Sequence, residues 1–242
     1  MEVKVNALVI KAIDYKDNDR VLTLYSLEKG KITAGIKGIK KAGAKLKFAS
    51  EPFCFAEYVL AEKSGKFTVI GASCIDLFYE LRLDIKKHYL SAVIIDFLNN
   101  NTESENPDLY LFDLAINTIK NICYNSNERA ETANFLYRAI ENSGYGFNDT
   151  VCRSCGSVIK NRVFFRYKDA SFSCLDCLEE GFSEIREETY NSLKLLLDND
   201  FISLEKTESG VKMLINFLAY YLFVKTDLKL KSIDSLKEID GA

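Results

Sequence analysis

VKVNALVIKAIDYKDNDRVLTLYSLEKGKITAGIKG, from Val3 to Gly38, decides how the chain begins to fold. Three apolar runs rich in β-branched residues are cut by KDNDR and by EKGK, the pattern of short strands joined by turns. A lysine-rich connection follows, then FCFAEYVLA, the turn EKSGK and FTVIGAS. This predicts five antiparallel strands with tight turns at Gly30 and Gly65. Five are too few for a sandwich and suit a small closed barrel of the OB type.

The period changes near Glu80. ELRLDIKKHYLSAVIIDFLNN places Leu81, Ile85, Tyr89 and Ala92 on one helical stripe. Pro107 and Asp108 read as the start of a second helix. A third, ERAETANFLYRAIENSG, closes on Gly144, with further helices expected over about 184–198 and 211–225. Strands first and helices after is an α+β arrangement. The expected division is a barrel over 1–78 and a helical domain over 79–242 that carries a cysteine loop at about 150–180.

CRSCGSVIKNRVFFRYKDASFSCLDC holds four of the seven cysteines, as two Cys-x-x-Cys pairs separated by eighteen residues. The spacing suits one tetrahedral zinc held by Cys152, Cys155, Cys174 and Cys177. Gly156 would ease the turn beneath the metal. NRVFFRYKDASFS reads as a small hairpin between the pairs. Iron–sulfur ligation by four thiolates and a redox dithiol are the alternatives. With sulfur at all four positions and no histidine in the segment, the metal is expected to be structural, one zinc per chain.

The net charge of −3 and pI near 5.5 argue, taken alone, against a nucleic-acid partner. Charge is nevertheless segregated. Lys29, Lys31, Lys37, Lys40, Lys41, Lys45 and Lys47 fall in one stretch without an acidic residue, while 179–208 carries nine acidic residues against three basic ones. Lysines of one sign on a glycine-containing loop suit a phosphate track; a solvated loop is the plainer reading. Phe48, Phe53 and Phe55 could stack bases, or could pack on the helices.

Little points to catalysis. Gly38 to Gly43 has the glycine spacing of a phosphate-binding loop, but Ala44 and Lys45 follow where Lys and Ser or Thr are needed. His88 is the one histidine, within a helical pattern. Cys54, Cys74 and Cys123 read as small core residues. The longest apolar stretch, Met213 to Val224, falls short of a bilayer span, and the N-terminus lacks a signal-peptide core; a cytoplasmic protein is expected.

ALVIKAIDYKDNDRVLTLYSLEKGKITAGIKGIKKAGAKLK, together with FLYRAIENSGYGFNDTVCRSCG, resembles the bacterial RecO family of recombination mediators across the chain. Many members of that family have Pro two residues after the Gly-Tyr pair; here Gly146-Phe147 follows. The resemblance implies an OB barrel and a helical domain with a zinc loop. It implies a non-enzymatic, nucleoid-associated protein that binds single- and double-stranded DNA, anneals complementary strands and assists recombinase loading on strands coated by single-strand-binding protein. Arg20 and the seven lysines would neutralise phosphates. The implied partners are RecR and the C-terminal tail of single-strand-binding protein, with Arg138 as a candidate for the tail. The alternative is a zinc-containing adaptor whose basic loop meets an acidic protein instead of DNA.

Overall fold

The computed structural model describes residues 1–147 and 149–240. Two compact units emerge: Met1–His88 with Ile94–Cys123, and Tyr89–Val93 with Tyr124–Ala242.

The first unit is built on five strands, β1 (Glu2–Tyr15), β2 (Asp19–Ser26), β3 (Gly30–Ile36), β4 (Phe55–Lys63) and β5 (Lys66–Asp76), closed into a barrel in the order β1-β2-β3-β5-β4. This is the five-stranded OB-type barrel expected from the sequence, except that one pairing, β3 with β5, is parallel where all five strands are expected to be antiparallel. Strand β1 is long because it serves two neighbours. Its first half pairs with β4, from Glu2↔Ala61 to Leu8↔Phe55, and its second half with β2, up to Tyr15↔Asp19. A bulge between Val9 and Lys11 bends the strand between these duties. Closure comes from three parallel pairs, Ala34–Ile36 against Phe67–Val69.

Alternation fills the interior. Leu22 and Leu24 of β2, Ile32 and Ile36 of β3, and Tyr58 and Leu60 of β4 are buried together, and the Tyr58 hydroxyl donates to the Ala49 carbonyl at 2.9 Å. Gly30 and Gly65 turn with φ of 64° and 71°, which only glycine adopts without strain.

Helices α1 (Ile85–Asn101) and α2 (Leu109–Tyr124) follow. Asp84 caps α1 by accepting from Lys86 N and Lys87 N, and Asp108 accepts from Leu111 N at the start of α2. The Leu81–Ile85–Tyr89–Ala92 stripe is not the buried face of α1. Leu81 lies in a separate 3-10 turn (Tyr79–Arg82), Ile85 is 64% exposed, and Leu90, Val93, Ile94, Phe97 and Leu98 are buried instead. The helix begins after the Asp84 cap, and its buried residues recur at 90, 93–94 and 97–98, a face turned away from Ile85.

The second unit contains α3 (Glu128–Ile140), α4 (Glu187–Leu197), α5 (Phe201–Lys206), α6 (Glu208–Thr226) and α7 (Lys231–Asp240). It also holds a three-stranded sheet of β6 (Val163–Arg166), β7 (Ser171–Ser173) and β8 (Ser183–Ile185) in the order β7-β6-β8. The β6–β7 hairpin matches expectation; β8, α5 and α7 go beyond it. Phe147, Phe165, Phe172 and Phe217 form an aromatic core here, with Phe165 and Phe172 centroids 4.8 Å apart. Among the described residues no helix is long and apolar enough to cross a membrane.

Candidate nucleic-acid interface and metal centre

The lysine-rich connection between β3 and β4 is a folded cover, not a free loop. Ile39 and Ala49 insert into the barrel core, and Ala44, Leu46 and Phe48 lean on it. Lys37, Lys40, Lys41, Lys45 and Lys47 are thereby turned outward and exposed. Burying the apolar residues between them is what spreads the charges over one surface.

The polar β1–β2 turn clasps this cover. Asp19 Oδ1 accepts the Gly38 N–H at 2.7 Å, and the Asn18 carbonyl accepts the Lys40 N–H at 3.1 Å. Arg20 Nε donates to Asp14 at 2.8 Å, and its Nη1 donates to Glu51 at 2.9 Å and to Ser50 Oγ at 3.2 Å. Lys40 Nζ donates to Asp14 at 2.8 Å. The Lys40 ammonium and then the Arg20 guanidinium hold the Asp14 carboxyl below its ordinary value.

These contacts sort the eight basic residues. Lys37, Lys41, Lys45 and Lys47 make no ion pair among the described residues. Lys40 is exposed but engaged by Asp14. Arg20 is tied into the clasp. Lys29 stands over the Phe67 ring at 5.5 Å. Lys31 Nζ donates to the carbonyls of Asn99 and Thr102 at 2.7 and 2.5 Å, at the end of α1, and burial lowers its pKa. Sequence reasoning missed Asp14, Asp19, Ser50 and Glu51 as partners of the basic stretch. The signal was there, in three aspartates, Asp14, Asp17 and Asp19, in and beside the β1–β2 turn.

Two of the three phenylalanines face the first unit's own helices. Phe53 is 6% exposed and meets the His88 ring edge-on at 5.3 Å, and Phe55 meets Phe112 at 6.0 Å. Phe48 leans on the barrel core. Cys54 and Cys123 are buried as expected, but Cys74, near the end of β5, is exposed.

The four cysteines of the second unit converge, with all Sγ atoms within 4.8 Å of one another. Each pair sits on a tight turn. The Gly156 N–H donates to the Cys152 carbonyl at 2.8 Å with Gly156 at φ 70°, and the Cys177 N–H donates to the Cys174 carbonyl at 3.3 Å. Cys155 and Cys174 sulfurs are 4.0 Å apart, and bonds of about 2.3 Å to a tetrahedral zinc would set sulfurs about 3.8 Å apart. The donor set and its spacing therefore fit such an ion. Burial pushes the Cys152 thiol up, but backbone N–H groups at Cys174, Cys155 and Ser154 outweigh it and bring it to about 6. Hydrogen bonding with Cys174 and Cys155 pushes Cys177 up to about 12. Four crowded thiols cannot all ionise without a cation among them.

The cluster is held by the aromatic core. The hydroxyls of Tyr137, Tyr221 and Tyr190 donate to the carbonyls of Phe147, Tyr145 and Thr150 at 2.7, 2.7 and 2.5 Å, fixing the chain that leads into Cys152. Arg153 and Arg166 both meet Asp169 at the hairpin turn. Arg138 of α3 donates to Glu141 at 3.1 Å and stands 5.6 Å from the Tyr137 ring.

Comparison with known proteins agrees with this architecture. The profile described as "Recombination protein O N terminal" matches residues 1–78, and "Recombination protein O C terminal" matches 82–233. The chain is similar to proteins named DNA repair protein RecO from Acetivibrio thermocellus, at 25% identity over 98% of this chain and 97% of the relative, and from Clostridium perfringens, at 27% over 98% of each. A third, from Clostridium novyi, is 29% identical over 80% of this chain and 76% of its own. Matched by these two profiles over nearly its whole length, the chain belongs to the recombination protein O (RecO) family.

Proposed function

We propose that this chain is a non-enzymatic DNA repair and recombination mediator. It binds single- and double-stranded DNA through the barrel of residues 1–78, anneals complementary strands and assists recombinase loading on strands coated by single-strand-binding protein. The observation that carries the reading is the outward display of Lys37, Lys41, Lys45 and Lys47, free of ion pairs among the described residues, on a folded cover of a barrel in a RecO-family chain. Annealing requires two repelling strands to be brought together, and a cationic surface lowers that repulsion without covalent chemistry.

In this reading Cys152, Cys155, Cys174 and Cys177 hold one zinc, which supplies a cross-link within the helical domain of residues 79–242. RecR and the tail of single-strand-binding protein are the protein partners, with Arg138 assigned to the tail, and the protein works at the nucleoid in the cytoplasm. One observation favours a second reading, an adaptor that binds an acidic protein: the pI near 5.5.

Annealing of complementary oligonucleotides, naked and coated with single-strand-binding protein, decides between them over a salt series. The mediator accelerates both and loses the effect as salt rises. A folded, metal-loaded protein that accelerates neither supports the adaptor.

A further inference from the structure

Beside the lysine cover, the outer face of the barrel carries a feature that electrostatics alone leaves unexplained. Ile13 and Tyr15 of β1 are 51% and 52% exposed. The register sets Ile13 opposite Val21 and Val21 opposite Gly35, so these residues form one row across β1, β2 and β3 on the side away from the core. Gly35 adds no side chain, which keeps the row low at β3. Tyr15, opposite Asp19, stands at the end of the face nearest the β1–β2 turn.

That end opens on a basin of about 410 Å³ lined by Lys16, Lys37 and Lys41 together with Asp17 and Asp19. The Asp19 carboxylate is taken by the Gly38 N–H, which leaves Asp17 as the one carboxylate there without a partner among the described residues. None of the three lysines is ion-paired among the described residues, and Lys16 Nζ stands 5.3 Å from the centroid of the Tyr15 ring. A half-exposed aromatic ring therefore adjoins a small apolar row and a cationic basin sized for a phosphate and its sugar.

We infer that this face is a platform for single-stranded DNA, with an unpaired base stacked on Tyr15 and adjoining phosphates held at Lys16, Lys37 and Lys41. The inference rests on the DNA binding proposed above and narrows it to a strand form and a path. Charge complementarity selects a polyanion. The ring selects an unpaired strand, because a duplex hides its base faces in its own stack while a single strand offers them. Arg20 and Lys31 lie off this path as struts, since Arg20 Nε and Nη1 and the Lys31 ammonium are engaged within the protein. The clasp formed by Asp14, Asp19 and Arg20 positions the basin and does not touch the strand.

The test is binding of a short oligothymidylate and of a duplex of equal length, read by fluorescence anisotropy over a salt series. Variants Tyr15→Ala and Tyr15→Phe are compared with wild type in the full-length protein. Tyr15→Ala should weaken oligothymidylate binding by about tenfold while leaving duplex affinity and the salt slope unchanged, because stacking releases no counterions. Tyr15→Phe should keep wild-type affinity, since the ring face is retained. Undiminished oligothymidylate binding by Tyr15→Ala overturns the platform, as does an equal loss on both probes. Wild-type protein that binds neither probe at low salt instead overturns DNA binding itself, a result separable from failure of the platform.

Discussion

Lys31 Nζ lies 2.7 Å from the carbonyl oxygen of Asn99, so a lysine from the basic stretch closes the end of a helix. A second carbonyl, that of Thr102, accepts from the same ammonium. Lys31→Ala should therefore cost about 1.5–3 kcal/mol of stability in urea unfolding, the range for hydrogen bonds to a charged group. It should leave the salt slope of DNA binding unchanged. A shallower slope at undiminished stability would return Lys31 to the DNA surface.

Lys37, Lys41, Lys45 and Lys47 should behave in the opposite way. Replacing all four with Ala should leave the unfolding midpoint close to wild type, because they are exposed and unpaired among the described residues. The log–log salt slope for duplex should fall by about 0.9 for each phosphate no longer neutralised. An unchanged slope would remove the cover from the DNA site.

Asp14 links pH to the clasp. Its folded pKa is lowered by Lys40 and Arg20, so its contribution is fully present above the ordinary carboxylate value of 3.8 and is lost as pH falls through the lower folded value. Asp14→Asn should unfold at lower urea than wild type at neutral pH, and the gap should close below pH 3.8. A gap that stays constant through the acid range would mean the ion pairs contribute nothing to stability.

Gly30 admits no side chain. Its φ is 64°, and a Cβ there would lie 2.3 Å from the Asn106 carbonyl oxygen, a backbone atom that cannot swing aside. Gly30→Ala should destabilise by about 2–4 kcal/mol through strain and overlap together. A near-neutral effect in thermal unfolding would show that the 103–107 segment moves freely.

Removing metal should loosen the second unit. Chelation of zinc-loaded protein, or Cys152→Ser, should lower the unfolding temperature while leaving the salt slope of DNA binding intact, since folding and metal binding are coupled. Loaded and stripped proteins with equal unfolding temperatures would contradict a structural cross-link. A metal content other than one zinc per chain would redirect the assignment.

The barrel was legible because its signals are local. Gly30 and Gly65 mark turns, and alternation over 55–60 shows which side is inside. The cysteine cluster was legible for the same reason, as spacing alone specifies two turns. What escaped depends on partners distant in sequence. The short α5 has only six residues to show a period, and β8 is three residues added to a hairpin. Arg20 and Lys31 look like any other cations until Asp14, Glu51, Asn99 and Thr102 are seen beside them. Composition reports how many charges there are, and only the fold reports which are already satisfied.

The bridge between Lys31 and Ser104 has a practical consequence. Strand β3 meets β5 only at Ala34–Ile36, and near Lys31 its open edge is covered by the chain after α1, where the Glu105 N–H donates to the Lys31 carbonyl at 3.0 Å. A fragment truncated at residue 78 would bare that edge and uncover the Tyr25 and Phe55 rings that Phe112 shields. An uncovered strand edge beside exposed aromatic rings is a template for self-association. A soluble barrel fragment should therefore extend through Cys123.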